Sequence, residues 1–80
     1  MNNLKSVKVD IGSIFKIRQF NDIALKYPGK HLDLVSGRYR VDAKSIMGIF
    51  SLNVANPITL EYEEDYEDFI MNELKNLIID

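Results

Sequence analysis

Hydrophobic and polar residues alternate along four stretches of the chain, with the period of two that is typical of a half-buried β-strand. These stretches are residues 7–11, 31–35, 38–43 and 58–63. The second and third are joined by Ser36-Gly37, and glycine readily adopts the positive φ of a tight hairpin turn. Because each stretch has one apolar side, we expect a mostly antiparallel sheet with helices on one face.

Two further stretches repeat hydrophobic residues at intervals of three and four, the spacing along one side of a helix. The first covers residues 14–27, begins behind the predicted N-cap Ser13 and stops before Pro28-Gly29. Its apolar side is formed by Ile17, Phe20, Ala24 and Tyr27, flanked by Ile14 and Ile23. The second follows the last strand, with Asp65 as its predicted cap and an apolar side of Tyr66, Ile70, Leu74, Leu77 and Ile78.

A short helix is predicted over residues 45–52, with Ser45 as its N-cap and Asn53 at its end. This helix has almost no polar side, and helical spacing turns Ile49 and Leu52 towards the sheet. The residues left on the exposed side are Ile46, Met47 and Phe50. Large apolar residues seldom cluster on a surface without a partner, so we interpret this side as a contact surface.

The predicted order is β-α-β-β-α-β-α, an α+β arrangement, and a chain of 80 residues is expected to form one domain over residues 1–80. A hydrophobic fraction of 46% and a charged fraction of 28% are ordinary for a globular protein. The absence of cysteine excludes a disulfide scaffold and cysteine catalysis. No apolar run is long enough to span a membrane and no signal core is present, so we expect a cytoplasmic protein.

Charge is divided unevenly along the chain. The net charge of −2 combines +5 in residues 1–44 with −7 in residues 45–80. This division predicts one basic and one acidic surface region, which either solvate the protein or bind a partner. The basic residues are not interleaved with aromatic residues in the manner of RNA-binding proteins, so no direct contact with nucleic acid is predicted.

No set of residues in the sequence indicates catalysis. The four glycines are too scattered for a phosphate-binding loop, and no Ser-His-Asp arrangement is evident. The single histidine, His31, is interpreted as a surface residue, and a zinc site built on it would need carboxylates as its other ligands. We therefore predict no catalytic residue, no cofactor and no metal, and a small interaction module rather than an enzyme.

Residues 44–52, Lys-Ser-Ile-Met-Gly-Ile-Phe-Ser-Leu, resemble the second-helix signature of HPr, the phosphocarrier of the bacterial sugar phosphotransferase system. The resemblance extends over nearly the whole chain, because the predicted order of elements is that of the HPr-like family. It implies an open-faced sandwich in which a four-stranded antiparallel sheet of order 1-4-2-3 has three helices on one face. Residues 53–57 form a connection about two residues shorter than usual in the family.

The same resemblance exposes a departure from the family. An HPr carries its phosphoryl group on a histidine at the start of the first helix, a place that corresponds here to about Ile14. Isoleucine has no lone pair and cannot accept a phosphoryl group. The arginine of that motif corresponds to Lys16 or Arg18. The family's regulatory phosphoserine corresponds to Ser45, although a serine is also a good N-cap without any modification.

The resemblance implies a non-catalytic, regulatory protein-binding module linked to the phosphotransferase system or to carbon catabolite control. The predicted partner-binding residues are Lys16, Arg18, Ile46, Met47 and Phe50. The implied partners are phosphotransferase-system proteins, an HPr kinase or a catabolite-control transcription factor, with no membrane contact. Two alternatives are a phosphocarrier with a displaced acceptor and a structural or oligomerisation module that kept only the fold.

Overall fold

The structure is a computed structural model that describes residues 3–27 and 31–79. Four strands and three helices follow the predicted order within these residues. The strands are β1 (Leu4–Val9), β2 (Leu32–Ser36), β3 (Tyr39–Asp42) and β4 (Ile58–Glu63). The helices are α1 (Ile14–Leu25), α2 (Ile46–Phe50) and α3 (Glu67–Glu73), the last preceded by a 3₁₀ turn over Glu64–Tyr66.

The strands form one antiparallel sheet in the order β1-β4-β2-β3. This is the order implied by the family resemblance, so the predicted α+β fold is confirmed. In the centre of the sheet Leu60 of β4 lies opposite Val7 of β1 on one side and opposite Leu34 of β2 on the other. Alternate residues of β4 are buried, as the pattern of residues 58–63 predicted.

One hydrophobic core lies between the sheet and the helices. The sheet contributes Val9, Leu32, Leu34, Ile58, Leu60 and Tyr62, and the helices contribute Ile17, Phe20, Ala24, Ile49 and Ile70. The opposite face of the sheet has no helix over it in the described part of the chain and carries charged residues such as Asp33, Arg40 and Glu61. None of the described helices is long and apolar enough to cross a membrane.

β4 has the predicted bounds, whereas the boundaries of the other three strands differ from the prediction by one to three residues. β1 begins at Leu4 rather than at residue 7, because its pairing with β4 continues as far as Leu4. Residues 4–6 are exposed, so this part of the strand shows no alternation of buried hydrophobic residues. Ile11, predicted within the strand, is buried beyond its end. The hairpin turn is formed by Gly37 and Arg38, one residue later than predicted, and Gly37 has the expected positive φ of 60°.

The first two helices are shorter than predicted. α1 ends at Leu25 with Lys26 as its C-cap, and the predicted stop at Pro28-Gly29 lies outside the described residues. α2 ends at Phe50 with Ser51 as its C-cap, not at Asn53. The Asn53 side chain instead accepts a hydrogen bond from the backbone N–H of Ala55, which forms the following turn.

The predicted cap of the last helix is wrong. Asp65 lies inside the 3₁₀ turn, and α3 begins after Tyr66 without a side-chain cap. Beyond α3, Leu74 and Leu77 remain buried although the chain is no longer helical. Ile78 forms a bridge with Val9, and the N–H of Ile79 donates to the carbonyl of Lys8. Residues 77–79, the C-terminal segment, therefore cover the outer edge of β1.

Candidate functional site

The start of α1 presents hydrophobic side chains to the solvent. Ser13 has an extended backbone and caps the helix, because its Oγ accepts the N–H of Lys16 at 3.2 Å. The next two residues, Ile14 and Phe15, are 63% and 89% exposed. Ile14 was predicted to flank the buried side of α1, but it lies in the first turn, where the helix projects beyond the core.

An ion pair lies beside these residues. The Lys16 Nζ is 2.7 Å from the Asp10 Oδ2, and the Asp10 Oδ1 accepts the N–H of Gly12 at 3.0 Å. The hydrogen bond from Lys16, helped by that from Gly12, lowers the pKa of Asp10 below its ordinary value. The positive charge of Lys16 is therefore partly neutralised within the protein.

The two basic residues assigned to partner binding point in different directions. Lys16 and Arg18 are two positions apart on α1, and residues at that spacing lie on different sides of a helix. Arg18 is exposed and lies one turn along from Ile14 and Phe15. The structure thus places Lys16 against the β1–α1 connection and leaves Arg18 at the margin of the exposed hydrophobic residues.

Ser45 caps α2 as predicted. Its exposed Oγ accepts the N–H of Gly48 at 3.1 Å. Gly48 fits closely here, because a Cβ at that position would make tight contacts, 3.1 Å from the Val41 Cβ and 3.2 Å from the Ser45 Oγ. The absence of that Cβ lets the first turn of α2 lie close against β3 while the serine hydroxyl stays accessible.

Lys44, the residue before Ser45, forms an ion pair with Asp42. The Lys44 Nζ lies 3.0 Å from the Asp42 Oδ1, which also accepts the backbone N–H of Lys44 at 2.8 Å. Burial opposes ionisation of Asp42, but both contacts with Lys44 favour it and the pKa of Asp42 is lowered. A charged lysine is thus held next to the Ser45 cap.

The orientation of α2 agrees with the prediction. Ile49 is fully buried and Leu52 nearly so, whereas Met47 and Phe50 are 78% and 51% exposed. Ile46, predicted in the exposed group, is half-buried and packs against the edge of the core. The exposed side of α2 is therefore formed mainly by Met47 and Phe50.

The two helices are neighbours, and a buried side chain joins them. The Asn21 Nδ2 donates to the carbonyl of Ala43 at 3.3 Å, linking the middle of α1 to the segment before α2. At the other end, a Cβ on Gly12 would lie 3.3 Å from the Val54 carbonyl oxygen. The start of α1 therefore lies near the segment that follows α2.

We call four exposed hydrophobic residues, Ile14 and Phe15 at the start of α1 and Met47 and Phe50 of α2, the apolar patch. Sequence reasoning identified its α2 half but missed its α1 half, because the first turn of α1 was assigned to the buried side. It also missed Asn21, whose spacing from Ile17 and Ala24 marks it as a buried position.

The only histidine of the chain lies away from the apolar patch. His31 precedes β2, and its Nε2 is 3.0 Å from the Glu61 Oε1 and 3.6 Å from the Asp33 Oδ2. The same carboxylates bind Arg40 on the uncovered face of the sheet. Hydrogen bonds from Arg40 and then His31 lower the pKa of Glu61, and the carboxylates raise the pKa of Arg40.

Solved structures resemble this chain over nearly its full length. HPr-C-His from Thermoanaerobacter tengcongensis has a TM-score of 0.73 and 31% identity, with 92% of this chain and 90% of that one covered. Phosphocarrier protein HPr from Bacillus anthracis str. Ames has a TM-score of 0.68 and 26% identity, with 94% and 95% covered. No protein-family model and no curated protein matches. The sheet order and these likenesses define a phosphocarrier-type fold, and the chain belongs to the HPr-like family.

Proposed function

We propose that this protein is a non-catalytic, regulatory member of the HPr-like family that binds protein partners through the apolar patch. The observation that carries the proposal is the exposure of Phe15, at 89%, in the first turn of α1. The family resemblance places the phosphoryl-accepting histidine at this turn. A large hydrophobic side chain there serves the binding of an apolar partner surface better than the transfer of a charged group.

The residues around the first turn of α1 also disfavour the binding of a phosphoryl group. A bound phosphoryl group needs free backbone N–H groups at a helix start and nearby cations. Here the N–H of Lys16 donates to the Ser13 Oγ, and the Lys16 ammonium is paired with Asp10. The Asp10 carboxylate, with its lowered pKa, would repel a phosphate at the same place. These contacts support a role without phosphocarrier activity at this turn.

The patch has the composition of a protein interface. Aromatic residues and methionine are enriched at such interfaces, and Phe15, Met47 and Phe50 supply them here. Arg18, which is exposed, gives the patch a basic margin, which favours a partner with an acidic rim. We propose a phosphotransferase-system protein, an HPr kinase or a catabolite-control transcription factor as the partner, in the cytoplasm and without direct contact with nucleic acid.

We further propose that Ser45 is a regulatory phosphorylation site. Its Oγ is exposed and lies on the same helix as Met47 and Phe50. A phosphate there would add nearly two negative charges beside Lys44 and would compete with Asp42 for that lysine. Phosphorylation would thus change the charge at the edge of the apolar patch, and with it the choice of partner.

The first experiment asks whether the protein is a phosphocarrier with a displaced acceptor. The protein is incubated with enzyme I and labelled phosphoenolpyruvate, beside the Bacillus anthracis HPr as a positive control. We expect no acid-labile phosphate on this protein. Stoichiometric labelling that disappears in His31→Gln would overturn the proposal and assign the acceptor to His31.

The second experiment tests whether Ser45 is phosphorylated. The protein is incubated with an HPr kinase and ATP, and the incorporated phosphate is located by mass spectrometry. We expect one phosphate, which Ser45→Ala abolishes and Ser51→Ala retains. Ser51 is the matched control because it lies at the other end of α2, where its Oγ donates to the Gly48 carbonyl. Absence of phosphate on the wild-type protein would remove Ser45 from the proposed regulation.

A further inference from the structure

The uncovered face of the sheet holds a cluster that the proposed function does not use. Asp33 of β2 and Glu61 of β4 are direct cross-strand partners. Their neighbours Leu34 and Leu60 point into the core, so the pleat turns both carboxylates to the opposite face. His31 lies two residues before Asp33 and therefore reaches the same face. We call His31, Asp33 and Glu61 the sheet-face triad.

The triad has the spacing of a metal site. Its potential ligand atoms, one from each residue, all lie within 4.8 Å of one another. The His31 Nε2 is 3.0 Å from the Glu61 Oε1 and 3.6 Å from the Asp33 Oδ2. Ligands bound at the usual distance around a tetrahedral zinc ion are about 3.4 Å apart. The two distances from His31 lie on either side of that value, and the carboxylate oxygens of Asp33 and Glu61 lie within 4.8 Å of each other.

A cationic group already occupies the space between the two carboxylates. The Arg40 Nη1 lies 3.0 Å from the Asp33 Oδ2 and 2.5 Å from the Glu61 Oε1. These are the same two oxygens that approach His31. The guanidinium thus marks a place where the fold accommodates positive charge against both oxygens at once.

The sheet register explains why positive charge is needed there. Asp33 lies directly opposite Glu61 on one side and opposite Asp42 on the other, so three carboxylates stand in a row across three strands. Like charges in directly opposed positions destabilise a sheet. Asp42 has Lys44 as its partner, and the remaining two carboxylates share Arg40. A divalent ion would compensate these two carboxylates more fully than one guanidinium.

We propose that the sheet-face triad binds a divalent transition-metal ion of the zinc type, and that Arg40 is the alternative occupant which leaves when the metal binds. One imidazole nitrogen and two carboxylate oxygens suit zinc, with a water molecule as the fourth ligand. Mg²⁺ and Ca²⁺ prefer oxygen ligands alone and do not match the set. The site is on the face opposite the helices, so it does not depend on the proposed function.

The test is a calorimetric titration of the full chain, purified without a histidine tag, with Zn²⁺. We expect one ion per chain for the wild-type protein and loss of that binding in His31→Asn. Arg40→Gln removes the competing cation and should tighten binding by about tenfold. Arg38→Gln is the matched control: it removes the same charge from the exposed hairpin turn and should leave the affinity unchanged.

A second readout locates the ion. Addition of Zn²⁺ should shift the imidazole resonances of His31 and the guanidinium resonances of Arg40, whereas Mg²⁺ should shift neither. Binding that persists in His31→Asn, or no saturable binding of Zn²⁺ by the wild-type protein, would overturn the proposal. If Arg40→Gln does not fold, Arg40→Lys, which keeps the charge but loses the planar guanidinium, should still bind Zn²⁺ at least as tightly as the wild type.

Discussion

Asp10 lies between β1 and α1 and accepts hydrogen bonds from both Lys16 and Gly12. Its partner is Lys16, and the family resemblance predicts that either Lys16 or Arg18 takes the place of the motif arginine. In this protein that cation contacts a carboxylate of its own chain. At the scale of single residues, the Asp10–Lys16 pair and the Ser13 cap thus stabilise the start of α1. Two hydrophobic residues remain exposed there.

The ion pair of Asp10 and Lys16 predicts that the stability of the protein depends on pH. Because the pKa of Asp10 is lowered in the folded state, the pair contributes stability above the ordinary value of 3.8. That contribution is lost as the pH falls below this value and through the folded pKa. Lys16→Met should raise the pKa of Asp10 towards 3.8, as measured by NMR titration of its carboxyl carbon.

Arg18→Met is the matched control for this titration, since it removes the same charge from the same helix without touching Asp10. An unchanged pKa of Asp10 in Lys16→Met would show that the N–H of Gly12, rather than the ammonium, determines the ionisation of this carboxyl.

At the scale of elements, α2 has two sides with different roles. Ile49 is fully buried against the sheet, whereas the adjacent Phe50 is half exposed. Gly48 permits this arrangement because it allows the helix to approach Val41 of β3 closely. One short helix thereby anchors itself in the core through one side chain and leaves the next one exposed to solvent.

This difference predicts opposite effects for neighbouring substitutions. Ile49→Ala should lower the free energy of unfolding by about 2–5 kcal/mol, because it leaves a cavity in the core. Phe50→Ala should change stability little and weaken partner binding by about 1–3 kcal/mol, as expected for an interface anchor. Urea denaturation measures the first quantity, and titration with an HPr kinase, one of the proposed partners, measures the second. Equal binding by Phe50→Ala and the wild type would exclude Phe50 from the interface.

The sequence was sufficient to predict the elements whose burial is one-sided. The alternation in β4 and the orientation of Ile49 and Phe50 were predictable, because local spacing alone decides which side faces the core. The start of β1 and the capping of α3 were not, since ladder pairing and a 3₁₀ turn set them without a distinctive residue pattern.

The two candidate sites also differ in how far the sequence predicts them. The exposed hydrophobic residues of α2 follow from helical spacing, but the sheet-face triad does not. His31 and Glu61 are 30 positions apart, and only the pairing of β2 with β4 brings them together. A sequence could reveal that juxtaposition only if the strand order and register were already known.

At the scale of the whole molecule, the chain beyond α3 completes the core. Leu74 follows the last helical residue and is nearly fully buried, together with Leu60, Tyr62 and Ile70. The N–H of Leu74 donates to the carbonyl of Ile70, which holds this non-helical residue in position. The packing of the C-terminal part against the central strand therefore depends on side chains outside regular structure.

Leu74→Ala should destabilise the protein by about 2–5 kcal/mol, because the site is buried and the surrounding core cannot fully collapse around the cavity. In a domain of this size that loss is a large share of the total stability. The urea midpoint measures it, with Lys75→Ala as an exposed control on the adjacent residue. A midpoint equal to that of the wild type would show that Leu74 does not support the core.

The sheet order has a consequence for how the protein is made. β1 precedes its partner β4 by 49 residues, counted from Val9 to Ile58. At the usual speed of protein synthesis, about 5–20 residues per second, roughly 2–10 s pass before β4 exists. During that interval the hairpin of β2 and β3 can form locally, whereas β1 lacks both β4 and the C-terminal segment. Chaperones and proteases at the ribosome therefore meet an unpaired first strand on each newly made chain.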